Sequence, residues 1–426
     1  MRVLVVGGGG REHALVWKLA QSSAVREIFC APGNAGIASL ARCIPIEADE
    51  NEKLLDFARS QDIQLTVVGP EAPLMAGLTD LFRENGLCIF GPSQKGALLE
   101  GSKSWAKDFM VRHKIPTGDF KVFSSPNDAL SYLQKASYPL VVKADGLAAG
   151  KGVIITRDFS EAALAVKRIL EQKEFGSSAG EKIVVEEFLE GEEVSVFAVT
   201  DGTTYVVFPP AQDHKAAFEG DTGPNTGGMG AYSPPPALTP ELEEEVNKKI
   251  FDAVISGFQA EGIDYRGVIY GGLILTSRGI KVLEFNARFG DPETQVILPR
   301  LKSDLFPILY GAAKGDLSSL APPVWYPGAA VCVVMASEGY PGKYEKNKVI
   351  YGLEKTKEME NCFVFHAGTA FQNDRIVTSG GRVLNLTAWD FSLENAVKRA
   401  YDLTGKIEFE GMYYRKDIAY RALQRK

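Results

Sequence analysis

An α/β and α+β chain of several domains is predicted, beginning with an open parallel α/β sheet and ending in a small α+β domain. Three observations predict it. Strand-like and helix-like runs alternate through the first 100 residues, the pattern of a parallel sheet with crossover helices. The 426 residues, 45% hydrophobic and 24% charged, are too many for one ordinary core and call for about two to four domains. Ala321-Pro322-Pro323-Val324-Trp325-Tyr326-Pro327 carries three prolines in seven residues, which suits a linker before a last region.

In chain order, residues 2–6, 27–31, 65–68 and 88–90 read as strands, and residues 11–21, 52–61 and 78–85 as helices. Such sheets bind ligands beyond the C-terminal ends of their strands. Gly7 to Gly10, Gly33-Asn34, Gly69-Pro70-Glu71 and Gly91-Pro92-Ser93 all follow strands, so they should gather at one edge. Gly7-Gly8-Gly9-Gly10-Arg11-Glu12 offers G-x-G, but Glu12 stands where a dinucleotide site needs its third glycine. The helix start remains an anion site. Residues 97–114 read as one helix leading into the next region and carry Lys103. Helices near 161–172, 240–261 and 393–405 follow, with strands between them.

Three later segments carry candidate chemistry. In Tyr138-Pro139-Leu140-Val141-Val142-Lys143-Ala144-Asp145-Gly146-Leu147-Ala148-Ala149-Gly150-Lys151-Gly152-Val153 a short strand delivers Lys143 and opens into a small, glycine-rich loop that lets backbone N–H groups approach phosphate. The Walker A order is absent. A hairpin with an exposed lysine tip reads from the same residues. In Ile183-Val184-Val185-Glu186-Glu187-Phe188-Leu189-Glu190-Gly191-Glu192-Glu193-Val194-Ser195-Val196 two β-rich runs flank a short acidic connection. The backbone after Glu186 would suit adenine and Glu193 a ribose; an ordinary hairpin with acidic residues facing water is the alternative. In Val282-Leu283-Glu284-Phe285-Asn286-Ala287-Arg288-Phe289-Gly290-Asp291-Pro292-Glu293-Thr294, strand alternation puts Glu284 and Asn286 on one face and Phe285 on the other. If the strand continues, Arg288 joins that row. A carboxylate, an amide oxygen and a guanidinium suit a hard cation beside a phosphate, and an edge strand with a solvated polar face is again the alternative.

In this order the three segments resemble the ATP-grasp superfamily. Gly7 to Ala14, Gly69-Pro70-Glu71, Gly91-Pro92-Ser93, Asp213-His214-Lys215, Gly223-Pro224-Asn225-Thr226-Gly227-Gly228-Met229-Gly230-Ala231-Tyr232 and Glu284-Phe285-Asn286 sharpen the resemblance to the phosphoribosylamine–glycine ligase family of purine biosynthesis. It runs from Arg2 to near Tyr414. The resemblance implies an N-terminal substrate-binding α/β domain at 1–101. A two-lobed ATP-grasp domain follows at 102–325, with a small lobe at about 115–190 and a large lobe at about 191–325. A C-terminal α+β domain takes 326–426.

It also implies a reaction and a set of roles. ATP, glycine and 5-phosphoribosylamine would give glycinamide ribonucleotide, ADP and phosphate through a glycyl phosphate. Lys103 and Lys143 would contact the ATP phosphates, with Asp145 to Gly152, including Gly150, Lys151 and Gly152, as a lid. Glu186, Glu187, Phe188 and Leu189 would hold adenine, and Glu193 the ribose, with Glu192 the alternative one register step away. Glu284 and Asn286 would bind Mg2+ or Mn2+. Arg288, Lys143 and Asp213 would be catalytic, Arg288 because its planar fork suits an acyl phosphate. Gly9, Gly10, Arg11, Glu12, Asn34, Glu71, Asp213, Lys215, Thr226, Gly227, Gly228 and Asp291 would line the substrate side. Many relatives in the superfamily carry another acid on the strand before the metal strand. Here that strand, Tyr270-Gly271-Gly272-Leu273-Ile274-Leu275, has none, so fewer protein ligands are expected. His13 is expected as a helix-start contact ahead of a general base, and His113 and His366 as structural.

A net charge of -7 argues against general nucleic-acid binding. Neither a leader pattern nor a bilayer-length apolar run is read. The scattered cysteines Cys30, Cys43, Cys88, Cys332 and Cys362 fit reduced core thiols in a cytoplasmic protein. No obligate protein partner is inferred. An enzyme of the same superfamily that carboxylates a substrate or joins different acid and amine pairs, and a non-catalytic nucleotide-binding module, are the rival readings.

Overall fold

The computed structural model describes residues 1–147, 152–176 and 179–425. Five parallel strands form the N-terminal sheet, in the order Arg42–Cys43, Glu27–Pro32, Arg2–Gly7, Leu65–Val68, Ile89–Phe90. In Arg2–Gly7 the side chains of Val3 and Val5 enter one core and those of Leu4 and Val6 another. Both faces are covered, so the strand reads as continuous apolar residues rather than an alternation. The core holding Val3 and Val5 continues into Phe197, Val199, Leu298 and Val334, so this sheet packs directly onto the rest of the molecule.

Phe120–Phe123, Ile183–Glu187, Leu140–Ala144 and Val153–Thr156 form a four-stranded antiparallel sheet. Ala129 and Leu133 of helix Pro126–Leu133 and Ala162 and Ala165 of helix Phe159–Val166 cover one face of it. A nine-stranded sheet runs Gly279–Asn286, Gly267–Thr276, Glu192–Thr200, Tyr205–Asp213, Gly230–Ser233, Ala329–Ser337, Arg382–Asp390, Cys362–His366, with Met412–Tyr413 paired to Ala329–Ser337. The pairing of Gly230–Ser233 with Ala329–Ser337, in the register Ala231 to Cys332, carries this sheet into the last region of the chain. Helix Leu393–Thr404 packs Ala396 and Ala400 against Val331 and Val333.

One sequence expectation changes, and two open alternatives are decided. The single helix over 97–114 is two, Gln94–Gly101 and Lys103–Arg112, broken where Ser102 turns extended (φ -139°, ψ 111°). Ser102 Oγ accepts the Trp105 N–H and so caps the second helix. The acidic segment after Ile183 is not a hairpin: Ile183–Glu187 belongs to the four-stranded sheet and Glu192–Thr200 to the nine-stranded one, so Phe188 to Gly191 joins two lobes. The row of Glu284 and Asn286 stops before Arg288, because Gly279–Asn286 ends there and the Ala287 N–H turns to Glu100 Oε2 at 2.8 Å.

Candidate functional site

The strand Gly279–Asn286 keeps Phe285 in the core and leaves Glu284 and Asn286 partly exposed on the opposite face. The Glu284 carboxylate lies among cations: Lys215, Lys143, Lys103 and Arg288 together hold it below the usual carboxylate range, against a burial effect that pushes it up. Lys215 Nζ is 3.8 Å from Glu284 and 2.9 Å from Glu193. Glu193 therefore faces this cluster, while Glu192 turns to Gln212 and Arg425. Asp213 adjoins it, its carboxyl pushed up to about 7 by burial and by the neighbouring Glu293, Glu193 and Glu284, with Lys215 opposing.

Lys143 is buried in the small-lobe sheet and reaches across to the large lobe. Its Nζ is 2.9 Å from Glu186 Oε1 and 3.3 Å from the Leu283 carbonyl. Glu186 is shared with Lys107, whose Nζ is 2.7 Å from Oε2 and 2.8 Å from Thr117 Oγ1. The Glu187 N–H is bonded to the Asp119 carbonyl. The Phe188 and Leu189 backbone has no hydrogen-bond partner among the described residues. Lys103 opens its helix and bonds the Gly146 carbonyl at 3.1 Å. Asp145, expected in a lid, instead accepts from the Ser104 N–H at 2.6 Å and from the Ser102 and Ser104 hydroxyls, fixing that helix start. Gly152 takes part in the small-lobe sheet, accepting from Ala144 N at 2.8 Å; Gly150 and Lys151 lie outside the described residues.

Arg288 joins the two halves of the site. Its guanidinium is 2.9 Å from Glu100 and 3.3 Å from Glu71, which keep it firmly protonated despite burial. Beyond it a cavity of about 370 Å³ opens between Gly8, Gly9, Asn34, Asp291, Thr369 and Arg382. Asp291 is 3.2 Å from Arg382, and Arg382 also donates to the Gly227, Gly228 and Asp291 carbonyls. Gly228 adopts φ +111°, and a Cβ there would meet Pro292 Cδ at 2.4 Å. Thr226 Oγ1 bridges the Lys215 carbonyl and the Gly228 N–H. Arg382, Thr369 and Tyr340, whose hydroxyl meets the Gly227 N–H, were not in the sequence reading. Gly380-Gly381-Arg382 was the available signal, a glycine pair ahead of a cation at a strand start.

Several expected substrate residues are buried behind this cavity rather than in its lining, with Gly10, Arg11 and Glu12 in the first turn of helix Gly10–Leu19. Glu12 is 2% exposed and accepts from the Gly9 N–H and from Arg11 Nε, both at 2.6 Å. A Cβ at Gly69 would lie 2.0 Å from its carboxylate, so the glycines wrap this side chain. Arg11 also donates to the Phe289 carbonyl. Gly10 faces Asn385 and Gln295, where a Cβ has no room. Asn34 donates to the Gly8 and His366 carbonyls and accepts from Gly36 N and Ile37 N. His214 is buried and accepts from the Ala419 N–H, a structural anchor. A larger hollow of about 900 Å³ between Met110, Phe120, Tyr132 and Lys281 is lined also by Glu186 and Glu187, but holds none of Lys103, Lys143, Glu284, Asn286 or Arg288.

His13 and His366 close the seam between the first and last regions. The His366 N–H donates to His13 Nδ1 at 2.8 Å, which requires a neutral imidazole. Burial lowers His13 from 6.5 to about 3, with the nearby His366 adding to the effect, and burial lowers His366 to about 4. Their contribution to stability is complete above pH 6.5 and is lost as the pH falls toward 4, because only the unfolded chain takes up these protons there. His13→Gln is expected to flatten the fall in the urea midpoint between pH 7 and pH 5. An unaltered pH dependence would remove this assignment.

Glu284 and Asn286 offer a carboxylate and an amide oxygen on one face beside the amines of Lys103, Lys143 and Lys215, a donor set that fits a hard divalent cation. Among the described residues, no group of three or more histidine, cysteine or acidic side chains could hold a metal by itself. No helix among them is long and apolar enough to cross a membrane.

Comparison with known proteins divides the chain in three. Residues 1–100 match the phosphoribosylglycinamide synthetase N domain, 101–294 its ATP-grasp (A) domain and 330–421 its C domain. The phosphoribosylamine–glycine ligase of Caldanaerobacter subterraneus is 52% identical over 98% of this chain and 99% of its own length. The trifunctional purine biosynthetic protein adenosine-3 of Gallus gallus is 52% identical over 99% of this chain, which spans 42% of that longer protein. The crystal structure of the Thermotoga maritima phosphoribosylamine–glycine ligase superposes with a TM-score of 0.85 at 36% identity, covering 98% of this chain and 100% of that one. The biotin carboxylase domain of Hydrogenobacter thermophilus 2-oxoglutarate carboxylase shares the fold, with a TM-score of 0.76 at 18% identity over 97% of this chain and 91% of its own.

Proposed function

The chain belongs to the phosphoribosylglycinamide synthetase family, and from that premise we propose the reaction it runs and the parts its residues play. It is an ATP-dependent ligase that joins glycine to 5-phosphoribosylamine, giving glycinamide ribonucleotide, ADP and phosphate. The observation that carries this is Arg288, whose charge acts both on Glu284, beside Lys103 and Lys143, and on Asp291, which lines the cavity with Gly9 and Arg382. A phosphoryl donor on one side and a phosphoribosyl amine on the other would meet at its guanidinium.

Region 102–325 binds ATP in this reading, and 1–101 together with 326–426 frames the amine. Phe188 and Leu189 receive adenine and Glu193 the ribose. Lys103 and Lys143 neutralise phosphate oxygens. Glu284 and Asn286 hold magnesium or manganese, which supplies charge neutralisation at the nucleotide phosphates. A glycine carboxylate oxygen attacks the γ-phosphorus and ADP leaves. The amine then attacks the carbonyl carbon, and phosphate departs with that oxygen while the amine loses a proton. Arg288 offsets the charge that develops on the transferred group. Asp213 and Asp291, at the substrate side, meet the ammonium and amine ends. The reaction belongs in the cytoplasm, with small molecules as its partners.

Glycine labelled with heavy oxygen in its carboxylate is the test. One labelled oxygen is expected in the inorganic phosphate, because the bridging oxygen stays with phosphorus. Arg288→Lys is expected to slow formation of that phosphate despite keeping the charge, since the two-pronged fork is lost. Unlabelled phosphate, or AMP as the nucleotide product, would overturn the acyl-phosphate route. ATP turnover driven by bicarbonate and indifferent to glycine would favour a carboxylating relative instead.

A further inference from the structure

We propose that Glu100 is the positioning residue for Arg288, an assignment that rests on the ligase reading above and deepens it. Glu100 lies on the last turn of helix Gln94–Gly101, while Arg288 follows the end of strand Gly279–Asn286. Its side chain is 7% exposed and is held by two contacts. Oε1 is 2.9 Å from Arg288 Nη2. Oε2 accepts the Ala287 N–H at 2.8 Å. One carboxylate thus grips both the guanidinium and the main-chain amide one residue before it.

That double grip decides where Arg288 points. The Ala287 amide goes to Glu100, the strand ends at Asn286, and the arginine leaves the row of Glu284 and Asn286. Glu71 contacts Nε at 3.3 Å and the Phe289 carbonyl accepts from Nη1 at 3.2 Å. Neither of these touches the backbone ahead of the arginine. A guanidinium so fixed is aimed before the substrates arrive, which is what stabilisation of developing charge requires. Glu100 reaches the reacting atoms only through Arg288.

The test is a double-mutant cycle on ADP release with glycine and freshly made phosphoribosylamine. Glu100→Gln, which keeps size and an oxygen for the Ala287 amide, is expected to lower kcat about 10- to 100-fold, the usual scale for a group that orients a reacting one. KM for ATP and glycine should stay within about twofold, and Glu100→Asp should recover part of the loss. In an Arg288→Lys background the same substitution should cost less than about threefold, because its target is already gone. If Glu100→Gln does not fold, Glu100→Asp serves in the same cycle. Equal fold-losses in both backgrounds, a change confined to KM, or an unchanged kcat would overturn the assignment alone. A parent chain inactive with glycine and phosphoribosylamine would overturn the ligase reading, and this inference with it.

Discussion

Glu284→Ala is expected to raise the magnesium concentration for half-maximal ADP release by about 100-fold or more, since even supporting residues around a metal cost about 10- to 100-fold in affinity. Glu284 and Asn286 are the donors of one strand face, and the carboxylate is the charged member of the pair. The neighbouring Phe285→Ala is the control, because its side chain is 3% exposed in a core with Ile269, Leu273 and Val282. It should lose about 3–5 kcal/mol of stability and keep the parent's metal requirement in whatever fraction stays folded. Titration of each variant with Mg2+ and with Mn2+ separates the two faces. If Glu284→Ala titrates like the parent, the carboxylate is not a ligand.

Lys143→Ala should weaken ATP use by about 10- to 150-fold, the equivalent of the 1.5–3 kcal/mol typical of a charge-assisted contact. The fold should survive, because Lys107 remains 2.7 Å from Glu186 and keeps that buried carboxylate paired. Lys107→Ala is the contrast: it removes the Thr117 contact as well and is expected to lower the melting temperature more than it lowers the affinity for ATP. Nucleotide affinity by calorimetry and thermal unfolding by circular dichroism distinguish them. Full activity in a folded Lys143→Ala chain would take that lysine out of the phosphate site.

What the sequence made legible was what repeats locally. Period-two alternation placed Glu284 and Asn286 opposite Phe285, and the alternation of strands and helices placed the glycine turns of the first sheet at one edge. Contacts between distant segments left no such trace. Glu100 meeting Arg288, Lys107 sharing Glu186 and Arg382 gripping Asp291 join residues far apart in the chain, from a helix or strand to a different element or to the loop after Asn286, and no spacing in the chain announces them. The break at Ser102 had a local signal, a glycine at a helix end followed by a capping serine, but good helix formers on both sides, Ala97-Leu98-Leu99-Glu100 and Ala106-Lys107, masked it. The short link from Phe188 to Gly191 looked like a turn because its length fits one; only pairing partners reveal that its two strands part company.

The strand pairing between Gly230–Ser233 and Ala329–Ser337 has a bearing on how this protein can be divided. A piece ending in the proline-rich stretch would stop one rung short, with Gly230–Ser233 still paired to Tyr205–Asp213 but its edge toward Ala329–Ser337 bare. Such an open rim is a template for another chain's strand. The last hundred residues are therefore no detachable appendage. They are the cover that keeps the nucleotide-handling half from sticking to its own copies, as well as the wall that brings Arg382 to Asp291.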